Sequence, residues 1–153
     1  MAREAVGFGV PIAEFSLTRR NRLSRIRILL ADDHREFLSG IQAVLSAQYD
    51  VVGAVEDGDA LVRAAQSTVP DLIISDLSMP VMNGLQAAMK MKELGLQAKI
   101  IFLTVQSSPS YAKRAMKVGA SGYVLKPYAD EQLPVAIQEV LAGQTYISPE
   151  IAI

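Results

Sequence analysis

Cysteine is absent from the 153 residues, and disulfide bridges, thiolate metal sites and cysteine nucleophiles are excluded with it. A chain without thiol chemistry fits a reducing compartment, so the cytoplasm is the expected location. No apolar stretch approaches the roughly 20 residues that a membrane span requires. Glu4 and Pro11 interrupt any short apolar leader, so no membrane association is expected. Gly7-Phe-Gly9 lacks the third glycine and the preceding strand of a dinucleotide loop, and there is no Gly-x-x-x-x-Gly-Lys run. Nucleotide binding therefore has no support. Repeats and low-complexity tracts are also missing, and the length suits one domain able to bury roughly 68–70% of its unfolded surface.

Net charge is small, 15 − 16 = −1, but it is unevenly spread. Residues 1–27 hold six arginines (3, 19, 20, 22, 25, 27) against Glu4 and Glu14, a balance of +4 that leaves −5 for the rest. Residues 1–25 read as a solvated, flexible extension. The region from residue 28 onward, with nine basic and fourteen acidic residues, offers no electrostatic footprint for nucleic acid.

From residue 26, short apolar runs rich in β-branched residues alternate with segments of helical period, the pattern of a parallel sheet built from βαβ units. The expected strands are 26–31, 50–55, 71–75, 99–104 and 121–125, and their near-continuous apolarity implies burial on both faces. Between them run the stripes Phe37-Ile41-Val44-Leu45, Leu61-Val62-Ala65, Leu85-Ala88-Met89 and Tyr111-Ala115-Met116. A fifth helix is expected from about 130 to 142. Leu133, Ala136, Ile137, Val140 and Leu141 should face inward, Pro134 should fall in the first turn, and Gly143 should be the stop.

The chemistry lies at the strand ends. Asp32 and Asp33 close the first run, Asp76 the third, Thr104 the fourth and Lys126 the fifth. A parallel sheet puts all of these ends on one edge, where open α/β folds bind their ligands. Three acids, a hydroxyl and an ammonium converging there suit a metal ion and a phosphoryl group. Adjacent carboxylates facing a third repel unless a cation lies among them, and Mg²⁺ prefers such oxygen ligands. An aspartate at a helix start is also a good N-cap, which accounts for at most one of Asp32 and Asp33.

The order Asp32-Asp33, Asp76-x-x-Met79-Pro80-x-x-Asn83-Gly84, Thr104, then Lys126-Pro127 resembles the receiver domain of two-component response regulators over about residues 26–143. The Asp-Asp-His opening and the tail Gly143-Gln-Thr-Tyr-Ile-Ser-Pro149 look most like receivers of LuxR-type (NarL/FixJ) DNA-binding regulators. The resemblance implies a flavodoxin-like, doubly wound α/β fold with five parallel strands in the order 2-1-3-4-5 and five helices. It also implies that residues 144–153 begin a linker to an effector domain outside this sequence, through which alone DNA would be contacted.

Residue by residue, the resemblance implies Asp76 as acceptor of a phosphoryl group from a sensor histidine kinase. Mg²⁺ would be held by Asp32, Asp33, Asp76 and the backbone carbonyl of Ser78. Lys126 would be the counter-ion for phosphoryl oxygens, on a cis Lys126–Pro127 bond. Thr104 and Tyr123 would form the switch, with Tyr123 biased toward a buried rotamer on phosphorylation. Ser78 and Gln106 would tune phosphate lifetime, and the changed surface would alter dimerisation or effector contacts. His34, the one histidine, reads as an exposed side chain and not a phosphodonor. Two other readings remain open at this point. One is a receiver-fold interaction module that is never phosphorylated. The other is a haloacid-dehalogenase-like phosphotransferase, which would want an acid where Ser78 stands.

Overall fold

The computed structural model describes residues 25–152. The extension expected over 1–25 lies outside them apart from Arg25. In chain order the elements are β1 (Arg27–Ala31), α1 (Arg35–Leu45), β2 (Asp50–Val55), α2 (Gly58–Thr68), β3 (Leu72–Ser75) and α3 (Gly84–Glu93). They continue with β4 (Lys99–Thr104), α4 (Pro109–Lys117), β5 (Gly122–Leu125), a 3-10 turn (Lys126–Tyr128), α5 (Ala129–Leu141) and β6 (Tyr146–Ile147). All strand pairs are parallel, in the order β2-β1-β3-β4-β5-β6. The expected order 2-1-3-4-5 is present with a sixth, two-residue strand added on the β5 edge.

Alternation along the strands sorts the core into two faces. Ile28, Leu30, Leu72, Ile74, Ile101, Leu103 and Val124 pack with α1 and α5. Leu29, Ala31 and Ile73 face α2 and α3, and Phe102, Tyr123 and Leu125 face the α3–α4 side. Burial on both faces explains why these strands carry no polar alternation. The two edge strands differ, β2 being half-buried over most of its length and the two-residue β6 over all of it. Each aliphatic side chain taken fully out of water stabilises the fold by roughly 1.5–3 kcal/mol, so the fully buried Leu29, Ile73 and Ile101 anchor the centre.

Several expectations need correction. Val44, Met89 and Tyr111 are exposed, at 69%, 51% and 39%, because each lies at the flank of its helical stripe, where no neighbouring element covers it. The helix after β5 starts at Ala129, so Pro134 is the sixth residue and sits inside the helix, not in its first turn. No cis peptide bond occurs among the described residues. Lys126–Pro127 is therefore trans, which lets the chain pass from β5 directly through the 3-10 turn into α5. Residues 144–153, read as the start of a linker, contribute β6, and Ser148 and Ile151 are buried against the domain.

Candidate phosphoryl-acceptor site

The strand ends meet as the topology requires. The ammonium of Lys126 donates to Asp32 at 2.7 Å and to Asp76 at 2.9 Å, and it lies 4.6 Å above the ring of Phe37. Side-chain exposure is only 5% for Asp32, 8% for Asp76 and 11% for Lys126, so these charges interact with little screening. Asp33 is exposed, yet one carboxylate oxygen from each of Asp32, Asp33 and Asp76 lies within 4.8 Å of the others. That donor set fits a hard divalent cation bound through oxygen and water.

Hydrogen bonds fix the orientation of the two buried acids, Asp32 and Asp76. Asp32 accepts from His34 N–H at 2.8 Å through one oxygen and meets Lys126 with the other. The N-cap of α1 is His34, which is exposed, so neither aspartate serves as the side-chain cap. Asp76 accepts from Leu77 N–H at 2.6 Å and Ser78 N–H at 3.4 Å, with its other oxygen on Lys126. Burial pushes the Asp32 carboxyl above the ordinary value, partly opposed by Lys126 and the His34 N–H. Burial alone would lower the Lys126 ammonium, but its bonds to two carboxylates hold it above its usual range. An open cleft of about 390 Å³ lined by Asp33, Ser78, Met79, Asn83 and Tyr111 adjoins the cluster.

Thr104 and Tyr123 stand beside this cluster on one network. The fully buried Thr104 accepts from Gln106 N–H at 3.2 Å, and the Tyr123 hydroxyl donates to the Gln106 carbonyl at 2.7 Å. Tyr123 is fully buried on the inner side of β5. Its phenol is pushed up to about 12 by burial first, then by the charge of Asp76. Gln106 thus meets both Thr104 and Tyr123 through its backbone, while Ser78 is exposed beside the acids.

In the loop after Asp76, Asn83 is the N-cap of α3. Its side chain accepts from Gln86 N–H and the Gln86 side chain accepts from Asn83 N–H, both at 2.9 Å. The tight turn is centred on Val81, at φ 68°, with Met82 N–H donating to Pro80 O at 2.8 Å. Gly84 is a residue whose site role the sequence reading missed. A Cβ there would lie 2.2 Å from the Asp76 carbonyl oxygen. Because that neighbour is backbone, Gly84→Ala is expected to destabilise by about 1–3 kcal/mol, read as a lower urea midpoint, and to slow any reaction at Asp76. An unchanged midpoint would show that the α3 start yields without strain.

With this geometry in place, the relatives are informative. Residues 28–138 match the family described as response regulator receiver domain. The chain is 37% identical over 123 residues to the nitrate/nitrite response regulator protein NarL of Escherichia coli, covering 79% of this chain and 57% of that one. It is 32% identical over 130 residues to the transcriptional regulatory protein DegU of Brevibacillus brevis, covering 84% and 55%. It therefore spans somewhat over half the length of these curated relatives. Among solved structures, a LuxR-family two-component response regulator from Aurantimonas superposes with a TM-score of 0.79 at 32% identity, covering 84% of this chain and 93% of that one. The isolated receiver of RcsB from Salmonella enterica, solved in the presence of the phosphomimetic BeF3-, gives 0.76 at 28%, covering 83% and 96%. The chain belongs to the response regulator receiver domain family and is a receiver of the LuxR/NarL type.

Proposed function

We propose that Asp76 is the phosphoacceptor of this receiver. One observation carries the reading: a nearly buried ammonium joins Asp32 to Asp76 at the carboxyl edge of the sheet, with Asp33 within reach. An Asp76 oxygen attacks phosphorus in line, a P–O bond forms, and the bond to the leaving group breaks. The leaving group is an imidazole nitrogen when a sensor histidine kinase is the donor and acetate when acetyl phosphate is. Lys126 then offers its charge to the phosphoryl oxygens, a fixed partner that needs no reorganisation. Asp32, Asp33, Asp76 and the Ser78 carbonyl would hold Mg²⁺, whose charge offsets that of the incoming group.

The phosphoryl group adds charge that Thr104 and Tyr123 sense through the Gln106 backbone, and Ser78 and Gln106 govern access of attacking water. The output is a changed surface over α4, β5 and α5 that alters homodimerisation or the activity of an effector domain. DNA would be contacted only through such a domain. The chain works as a switch that turns over only its own phosphoryl group, and its setting is the cytoplasm. No helix among the described residues is long and apolar enough to cross a membrane. Incubation with acetyl phosphate and Mg²⁺ followed by intact-mass measurement tests the reading. One added phosphoryl group is expected, and none would leave a receiver-fold interaction module.

The acid cluster makes a second prediction. Asp33→Ala and Asp32→Ala should each weaken Mg²⁺ binding at least several-fold by calorimetry. In EDTA, Asp33→Ala should leave the melting temperature equal or higher, because carboxylate repulsion is relieved, whereas Asp32→Ala also gives up its ion pair with Lys126 and should not be stabilised. Wild-type Mg²⁺ affinity in both variants would make the acids structural.

A further inference from the structure

The tail after α5 is joined to the turn that carries Lys126 by a directional chain of hydrogen bonds, buried from Leu125 to Gln132. Ser148 is fully buried, and its N–H donates to the Tyr123 carbonyl at 2.9 Å, extending the β5–β6 ladder by one bond. Beyond that point the tail turns away, with Ile151 N–H donating to the Ser148 carbonyl at 3.0 Å. The ladder stops there, yet Leu125 N–H still needs an acceptor, and the Ser148 hydroxyl provides one at 2.9 Å. That hydroxyl in turn donates a hydrogen bond to the side-chain oxygen of Gln132 on α5, and the Gln132 amide donates to Glu150 at 2.8 Å. Every donor in the chain has an acceptor and the directions agree, which holds such a network in one geometry.

Its position gives it a use. Leu125 is the residue before Lys126, and Gln132 is the fourth residue of α5. The Ser148 hydroxyl therefore clamps both sides of the 3-10 turn that delivers Lys126 to Asp32 and Asp76. Ile151 seals the same region from the apolar side, packing in one cluster with Tyr123, Leu125 and Phe102. The acids, in contrast, stand at the ends of β1 and β3, which the tail does not pair with.

We propose that Ser148 is a positioning residue for phosphoryl transfer at Asp76, acting through Leu125 and Gln132 on the turn that carries Lys126. The inference rests on Asp76 being the phosphoacceptor. It makes the tail part of the site's support. By the reciprocity of coupled equilibria, displacement of the tail and binding at the site then influence each other equally.

The test compares phosphorylation rates by acetyl phosphate and Mg²⁺ affinity in the full chain and its variants. Ser148→Ala should slow labelling by about 10-fold, since small misplacements of a fixed group are costly to transfer. Its Mg²⁺ affinity should stay near wild type, because the acid ligands lie on other strands. Ser148→Thr, which keeps the hydroxyl, should recover most of the rate. In a Lys126→Ala background, Ser148→Ala should produce no further slowing, the non-additivity expected of two residues acting as one unit. Ile151→Ala loosens the tail without stranding a polar group, and should slow labelling in the same direction should Ser148→Ala fail to fold. Wild-type rates in Ser148→Ala and Ile151→Ala would overturn the proposal. So would equal slowing with and without Lys126, or a parallel loss of Mg²⁺ binding, which marks general destabilisation. A wild-type chain that takes no label at all would remove the phosphoacceptor reading first, and this inference with it.

Discussion

Asp76→Asn is expected to take up no phosphoryl group from acetyl phosphate while keeping the wild-type fold. The amide oxygen can still accept from Leu77 N–H, so the tip of β3 keeps its local geometry. Lys126 retains Asp32 at 2.7 Å, so the ammonium is not stranded. What disappears is the charged oxygen that attacks phosphorus, and no neighbour replaces it. Asp32 has one oxygen on His34 N–H and the other on Lys126, and Asp33 points from an exposed loop. Intact mass should show no gain, and the melting temperature should stay within a few degrees of wild type. A labelled variant would move the acceptor to another acid.

Lys126→Ala is the second large effect, and it acts on rate and stability together. Loss of a donor aimed at developing charge costs about 10²–10³ in rate, so labelling should become very slow. Removing the ammonium also leaves Asp32 and Asp76 facing each other nearly out of solvent, and breaking a buried pair in this way destabilises by about 3–5 kcal/mol. The pH dependence follows from Asp32. Its carboxyl is already raised above 3.8 by burial, with Lys126 opposing that rise. A carboxyl that titrates higher in the folded state than in the unfolded one gives a stability contribution that is full below the unfolded value and is lost as pH rises through the folded one. Without Lys126 that loss deepens. The variant should therefore be weakest, relative to wild type, at neutral pH and should recover as pH falls toward 4. Urea midpoints in EDTA at pH 7.5 and pH 5 measure this. Equal deficits at both values would show that Asp32 is not the group left uncompensated.

The strands were legible because burial on both faces leaves continuous apolar runs, and β2 and β4 match the expected bounds of 50–55 and 99–104. The site was legible for a related reason. A parallel sheet aligns strand ends, so the last residue of each run sufficed to bring Asp32, Asp33, Asp76 and Lys126 together. Helix faces were less so. Period alone put Val44 and Met89 in the stripes, but which flank is covered depends on neighbours that only the packing reveals. The Asn83–Gln86 capping box was visible as a spacing and was passed over because Asn-Gly reads so readily as a turn. The tail illustrates a harder limit. Gly143 and Pro149 gave Tyr146–Pro149 the look of a linker, and nothing in a lone serine announces that its hydroxyl will close the β5 ladder. Phe37 read correctly as a helical apolar position, but its place beneath Lys126 follows from tertiary packing.

Locating the modified residue tests the central claim most directly. The wild-type chain is phosphorylated with acetyl phosphate and Mg²⁺, the acyl phosphate is reduced with borohydride, and the digest is sequenced by mass spectrometry. The account predicts homoserine in place of Asp76 and unmodified aspartate at Asp32 and Asp33. Homoserine at either of those two positions, or at none, would contradict it.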